Sequence, residues 1–283
     1  MVPISGENGN FLAIQQFYPG FNAASSQIVY CTHQDKSHWT VEKFLDVPYL
    51  HRFDILRNGN RRYLVTGVLC RSKQSRDDWS SPGFIAFTEL DQDNHPLSGL
   101  QILQDGLTKN HGYGKMVQNG VEKGLFTSDE GVFLVTPPSG ESLDWSVAHI
   151  FDHPTSEARL FDIDGDGLEE LVTIEPFHGS HFRIYKPTVA GYQLVYECDM
   201  PMDFYHVIWT GLLRGRPVII GAGRRGAQKL FLIEWQAESG YQVITIDEPV
   251  GISNVDVLSG DSYDTIAAAN TESGLATFYH VYD

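Results

Sequence analysis

Apolar and polar residues alternate in short runs along most of this chain, and Gly, Pro, Asn and Asp clusters separate the runs. A period of two sends successive side chains to opposite faces of an extended backbone, so each run reads as a β-strand with one face toward a core. An amphipathic helical period of any length is hard to find. The pattern predicts an all-β protein. In the first unit the strands fall at residues 11–17, 27–32 and 39–45, with the turn Pro19-Gly20-Phe21-Asn22 between the first two and no inner strand in view.

The strands repeat in groups. A second unit starts at residues 50–56, continues through 63–69 and 84–90, and ends near 100–103. Its Phe53-Asp54-Ile55 is copied at Phe161-Asp162-Ile163, 108 residues later, which leaves space for two units of about 54 residues, the third running from about 110 to 154. The fourth spans about 157–200, with strands at 182–186 and 192–197. Steps of 47 from Phe161 reach Ile208 and Val255, which open the fifth and sixth. The sixth gives three strands before Tyr282-Asp283, so Val2-Pro3-Ile4 is expected to supply its outer strand and close a ring without open edges. Six units of 40–55 residues predict one domain over 1–283, a six-bladed β-propeller of four-stranded blades. Counting the incomplete end units differently leaves five or seven blades open.

One stretch carries specific chemistry. Asp162, Asp164 and Asp166 set carboxylates at positions one, three and five of a tight loop, Gly165 and Gly167 let the backbone curl, and Glu170 closes it at position nine. This donor set suits a hard, oxygen-seeking cation such as calcium. An apolar run, Leu171-Val172-Thr173-Ile174, follows at once, so the loop joins two strands, unlike the helix-flanked EF-hand loop whose Glu comes three places later. Asp-x-Asp-Gly-Asp-Gly-x-x-Glu before such a run resembles the repeat of FG-GAP and VCBS-type β-propellers, where the loop joins the first two strands of a blade. The resemblance implies the fold and a calcium site, while activity varies among such proteins. In the second unit Asn58-Gly59-Asn60 and Arg62 replace the acidic ligands, which argues against calcium there.

Charge narrows the partners. The 283 residues hold 36 Asp and Glu against 20 Lys and Arg, a formal charge of -16, which disfavours nucleic acid or an anionic membrane. Cys31, Cys70 and Cys198 fit neither a disulfide framework nor a zinc spacing and read as buried free thiols. The opening residues have no basic segment followed by an apolar core, so a cytoplasmic protein is expected.

Aligning the units on Phe53, Tyr113, Phe161, Ile208 and Val255 puts His51, His111, Arg159, His206 and Ser253 at one place, the mouth of each inner strand. Three of the five are histidine. Inner strands of a propeller line its channel, so His51, His111 and His206 are expected to hold a transition metal, zinc or manganese, at the axis. The plainer alternative is three surface or hydrogen-bonded histidines, or side chains turned between blades.

A four-stranded meander puts the loop between strands two and three on the same face as the inner-strand mouth. Those loops are polar. They bring Lys73, Arg76, Asp77 and Trp79, then His178 and His181, then Arg224 and Arg225. The cations suit a carboxylate or an oxygen-rich sugar, Trp79 offers a platform for a sugar ring, and His178, His181 and Tyr113 are candidate acid–base groups. Solvated loops carry such residues routinely, so each has an ordinary explanation as well. Gly221-Ala222-Gly223-Arg224-Arg225-Gly226 matches Gly-x-Gly-x-x-Gly, but with no helix after it a dinucleotide site is not expected.

Histidines at inner-strand mouths beside polar loops also resemble the propeller domains of sugar-active lyases and dehydratases, such as aldos-2-ulose dehydratase and rhamnose-glucuronate lyases. That resemblance implies a metal-dependent carbon–oxygen lyase, dehydratase or isomerase for a small sugar or sugar acid. The alternative is a non-catalytic, calcium-stabilised propeller that binds a glycan or a protein.

Overall fold

The computed structural model describes residues 1–4, 9–17, 23–35, 38–140 and 142–283; the turn expected at 19–22 lies outside them. The chain divides into two compact units, Met1–His149 and Ile150–Asp283. In the first, one sheet runs β1 (Val2–Pro3), β2 (Phe11–Gln15), β3 (Gln27–Asp35), β4 (His38–Asp46). The next runs β5 (Leu50–Asn58), β6 (Arg61–Cys70), β7 (Pro82–Leu90), β8 (Gln101–Leu107). The third comprises β9 (Tyr113–Gln118), β10 (Val121–Ser128), β11 (Gly131–Thr136) and β12 (Ser146–Phe151), and the boundary between the units falls inside β12.

The second unit continues the scheme. Its first sheet is β13 (Glu157–Phe161), β14 (Glu170–Glu175), β15 (His181–Thr188), β16 (Gly191–Glu197), and its second is β17 (Phe204–Leu213), β18 (Arg216–Arg225), β19 (Leu230–Gln236), β20 (Gly240–Asp247). The last is β21 (Ile252–Leu258), β22 (Asp264–Asn270), β23 (Leu275–Val281). Six antiparallel meanders with no helix among the described residues are the blades of an all-β, six-bladed propeller fold.

The amino terminus departs from expectation. Val2 pairs with Leu12 and Pro3 with Phe11, so this segment is the inner strand of the first sheet, while the sixth sheet keeps three strands among the described residues. A two-residue strand containing proline is too short to show alternation, which hid it in the sequence.

Burial explains why some strands read as solid apolar runs. β14 is buried at all six positions and β6 from Tyr63 to Cys70, because second strands are covered on both faces, whereas β4 and β16 stay largely exposed. In the first unit Leu12, Ile28, Leu50 and Leu64 pack into one core cluster, and Leu56, Val65, Ile85 and Phe126 into another. In the second, Val172, Ile184, Phe182 and Phe231 form one, and Val218, Ile220, Ile252 and Ile266 another. Burying each such side chain contributes roughly 1.5–3 kcal/mol. The Gly-x-Gly-x-x-Gly match lies in this scaffold: Gly221 sits within β18, where a Cβ would come within 2.3 Å of Phe231 Cζ, so it admits an aromatic ring.

Candidate functional site

In the second unit the loop after β14 and the start of β17 bring His178 and His206 together, with ring centroids 5.8 Å apart. His178 stacks on Phe177 at 3.9 Å and packs against Phe204 at 4.3 Å. Its backbone is left-handed, with φ 51, and its N–H donates to Ser156 Oγ at 3.1 Å. Left-handed φ is uncommon for a residue with a Cβ and persists where surrounding contacts determine it. Gly179 completes the turn, since a Cβ there would meet Glu175 O at 2.1 Å.

Glu175 anchors this loop from below. It is buried and accepts hydrogen bonds from Thr173 Oγ1 at 2.5 Å, Arg183 Nη1 at 2.9 Å and Tyr185 Oη at 3.0 Å. Burial, then the Glu175 charge, push the Tyr185 phenol far above its ordinary range, so it stays a donor. Arg224 and Arg225 place guanidinium groups 5.4 and 5.6 Å from the Phe204 ring. Two imidazoles, an aromatic wall and two cations thus share one corner of the second unit.

The mouth positions follow one device in each unit. His206 Nδ1 lies 2.8 Å from Ser253 O, and in the first unit His51 Nδ1 lies 2.7 Å from His111 O. A carbonyl only accepts, so each Nδ1 carries a proton and each ring is fixed in orientation. The His51 and His111 rings are 4.2 Å apart, and His111 is buried.

Other predicted residues are engaged elsewhere. His181 Nδ1 is 2.6 Å from Glu197 Oε1 on the β15–β16 ladder. Tyr113 packs on Phe126 at 4.9 Å. Lys73 lays its ammonium 3.2 Å from the Trp79 ring centroid and donates to Arg76 O at 2.7 Å, so the expected platform already carries a cation. Burial lowers the Lys73 pKa. Arg76 and Asp77 are exposed.

The acidic loop joins β13 to β14. Oxygens of Asp162, Asp164 and Asp166 lie within 4.8 Å of one another. Asp162 accepts the N–H of Gly165 and Gly167 at 2.8 and 2.9 Å, and buried Glu170 accepts that of Ile163 at 3.0 Å. The donor set fits a divalent cation, and Lys186 reaches into it: its Nζ is 2.5 Å from Asp164 Oδ2, 2.5 Å from Asp166 Oδ2 and 3.5 Å from Glu170 Oε1. These carboxylates raise the Lys186 pKa, and Lys186 lowers that of Asp166. Sequence reading missed Lys186; extending the β14–β15 register one step beyond Leu171↔Tyr185 would have put it opposite Glu170.

No family model matches the chain, and no curated protein matches it in sequence. Solved structures do. A protein described as a candidate 6-phosphogluconolactonase from Bacteroides uniformis aligns with TM-score 0.59 and 12% identity over 100% of this chain and 85% of its own. A second, from Bacteroides fragilis, gives 0.56 and 13% over 98% and 83%. Trypanosoma rangeli sialidase in complex with sialic acid gives 0.53 and 11% over 98% of this chain and 52% of its own. At these identities the likeness shows the propeller fold and nothing finer.

Proposed function

We propose that this chain is a metal-dependent carbon–oxygen lyase, dehydratase or isomerase for a sugar or sugar acid. The observation that carries this reading is the corner holding His178, His206, Phe204, Arg224 and Arg225, where two imidazoles sit beside two guanidinium groups. Sugar-related names among the structural neighbours, a candidate lactonase and a sialidase, support the substrate class, as does the resemblance to propeller lyases and dehydratases.

Arg224 and Arg225 bind a substrate carboxylate through paired N–H donors. His178, held by Phe177 and Ser156, takes the proton from the carbon next to that carboxylate, the freed electron pair forms a carbon–carbon double bond, and the hydroxyl on the following carbon departs with its C–O pair and takes the proton back from His178 to leave as water. Zinc or manganese held by a mouth histidine such as His206 would polarise the carboxylate and acidify that carbon. The same proposal places the protein in the cytoplasm, where its three buried free cysteines stay reduced.

Metal analysis of the intact chain tests the reading. A transition ion that copurifies and is lost in both His206→Ala and His111→Ala supports it; no transition ion, or one retained in both, overturns it. The second reading, a non-catalytic glycan- or protein-binding propeller, is favoured by the Asp162–Glu170 loop. Binding of calcium alone, with no conversion of sugar acids, supports that one.

A further inference from the structure

The first unit holds a pocket that neither the sequence pattern nor the histidine site uses. It lies between the second and third sheets, has a volume of ≈ 180 Å³, and is walled by Tyr63, Phe87 and Trp145 with Arg61, Glu89 and Gln101 around them. Trp145 packs against Phe87 at 4.5 Å and 46° and against Tyr63 at 5.0 Å and 72°. The rings form a corner instead of parallel plates. Leu97 and Leu143, exposed by 63% and 73%, form an apolar rim.

Two features mark it as a binding site. The Tyr63 hydroxyl and the Trp145 Nε1–H are buried and find no hydrogen-bond partner among the described residues. A buried polar group left this way costs about 1–3 kcal/mol, a cost that a bound oxygen would remove. The local charges also cancel: Arg61 Nε and Nη2 donate to the two Glu89 oxygens at 2.9 and 2.8 Å, and Arg61 Nη1 donates to Ser142 O at 2.9 Å. A guanidinium so engaged does not recruit a phosphate or carboxylate.

We propose that this pocket binds one neutral pyranose unit of a glycan. A saturated ring presents its C–H face to one aromatic wall and its ring-edge hydroxyls to Tyr63, Trp145 and Gln101, a demand that a corner of rings meets and a flat aromatic ligand does not. The site anchors a sugar without reacting it, because among the described residues no histidine lines it and its one carboxylate, Glu89, is held by Arg61.

The intact protein, labelled so that indole N–H groups are resolved by NMR, is titrated with the methyl pyranosides of glucose, galactose and xylose, and with glucuronate. The expected result is a saturable shift of the Trp145 indole resonance with at least one neutral glycoside. Tyr63→Phe weakens that binding about tenfold while the melting temperature holds or rises, because the hydroxyl has no partner in the free protein. Trp145→Phe serves as a second variant. No saturable shift with any neutral glycoside, tighter binding of glucuronate, or an affinity unchanged in Tyr63→Phe would overturn the assignment. Metal content stays normal in Tyr63→Phe, and the pocket still binds in His206→Ala, so this proposal and the metal-site reading fail separately.

Discussion

The turns after Phe53-Asp54-Ile55 and Phe161-Asp162-Ile163 start from the same local sequence and reach opposite electrostatic ends. In the first unit Asp54 is a single carboxylate. It accepts the Ile55 N–H at 2.7 Å and sits 3.1 Å from Lys115 Nζ, and Glu122 stands 3.7 Å from both Lys115 and Arg57. Acids and bases balance there, and a tight turn with Gly59 at φ 59 closes the hairpin. In the second unit three carboxylates, Asp164, Asp166 and Glu170, surround one ammonium, Lys186, and Asp162 stands beside two of them, so negative charge stays in excess. The difference teaches that one blade register can support either a self-neutralised hairpin or a loop built to accept further positive charge.

The largest expected effect comes from removing the buried closing residue. Glu170→Ala strands the Ile163 N–H and removes a carboxylate from Lys186, and should cost about 3 kcal/mol in urea unfolding, against roughly 1 kcal/mol for Glu122→Ala in the balanced hairpin. Equal losses would mean that the loop is ordinary. Next, Lys186→Met should lower the melting temperature in chelator and recover it when millimolar calcium is added, while Lys115→Met should show no calcium rescue. Recovery in both variants, or in neither, breaks the contrast.

The smallest effect is in the pH profile. Burial raises the Asp54 pKa above its ordinary 3.8, so the folded state binds the proton more tightly, and Asp54 makes stability fall as pH rises through that value and above it. Lys186 depresses the Asp166 pKa, so its contribution is present above 3.8 and lost as pH falls below. Asp54→Asn should therefore make the slope of stability against pH more positive just above pH 3.8, and Asp166→Asn should flatten the loss on the acid side. Unfolding series between pH 3 and 6 measure both.

Blade count, strand register and the acidic loop were legible because each repeats a local pattern: alternation, a spacing, a ligand order. Val2–Pro3 was not, being too short to alternate. Nor was the covering of Trp79 by Lys73, six residues earlier, because a loop's fold is not a periodic property. His51 and His206 were found by register alone, yet the carbonyl partner that orients each ring required knowing which inner strands are neighbours. Trp145 escaped notice, since its importance comes from rings on β6 and β7, far away in sequence.

The outer strand of the sixth sheet has a consequence for handling the protein. β23 ends the sheet with backbone donors and acceptors that no described strand pairs, and it holds no Lys, Arg, Asp, Glu or Pro between Leu275 and Val281. Leu275 and Phe278 are 65% and 60% exposed along it. Such an unguarded border is where sticky encounters begin, so clumping in concentrated or warmed solutions should nucleate here before the rest of the molecule has opened.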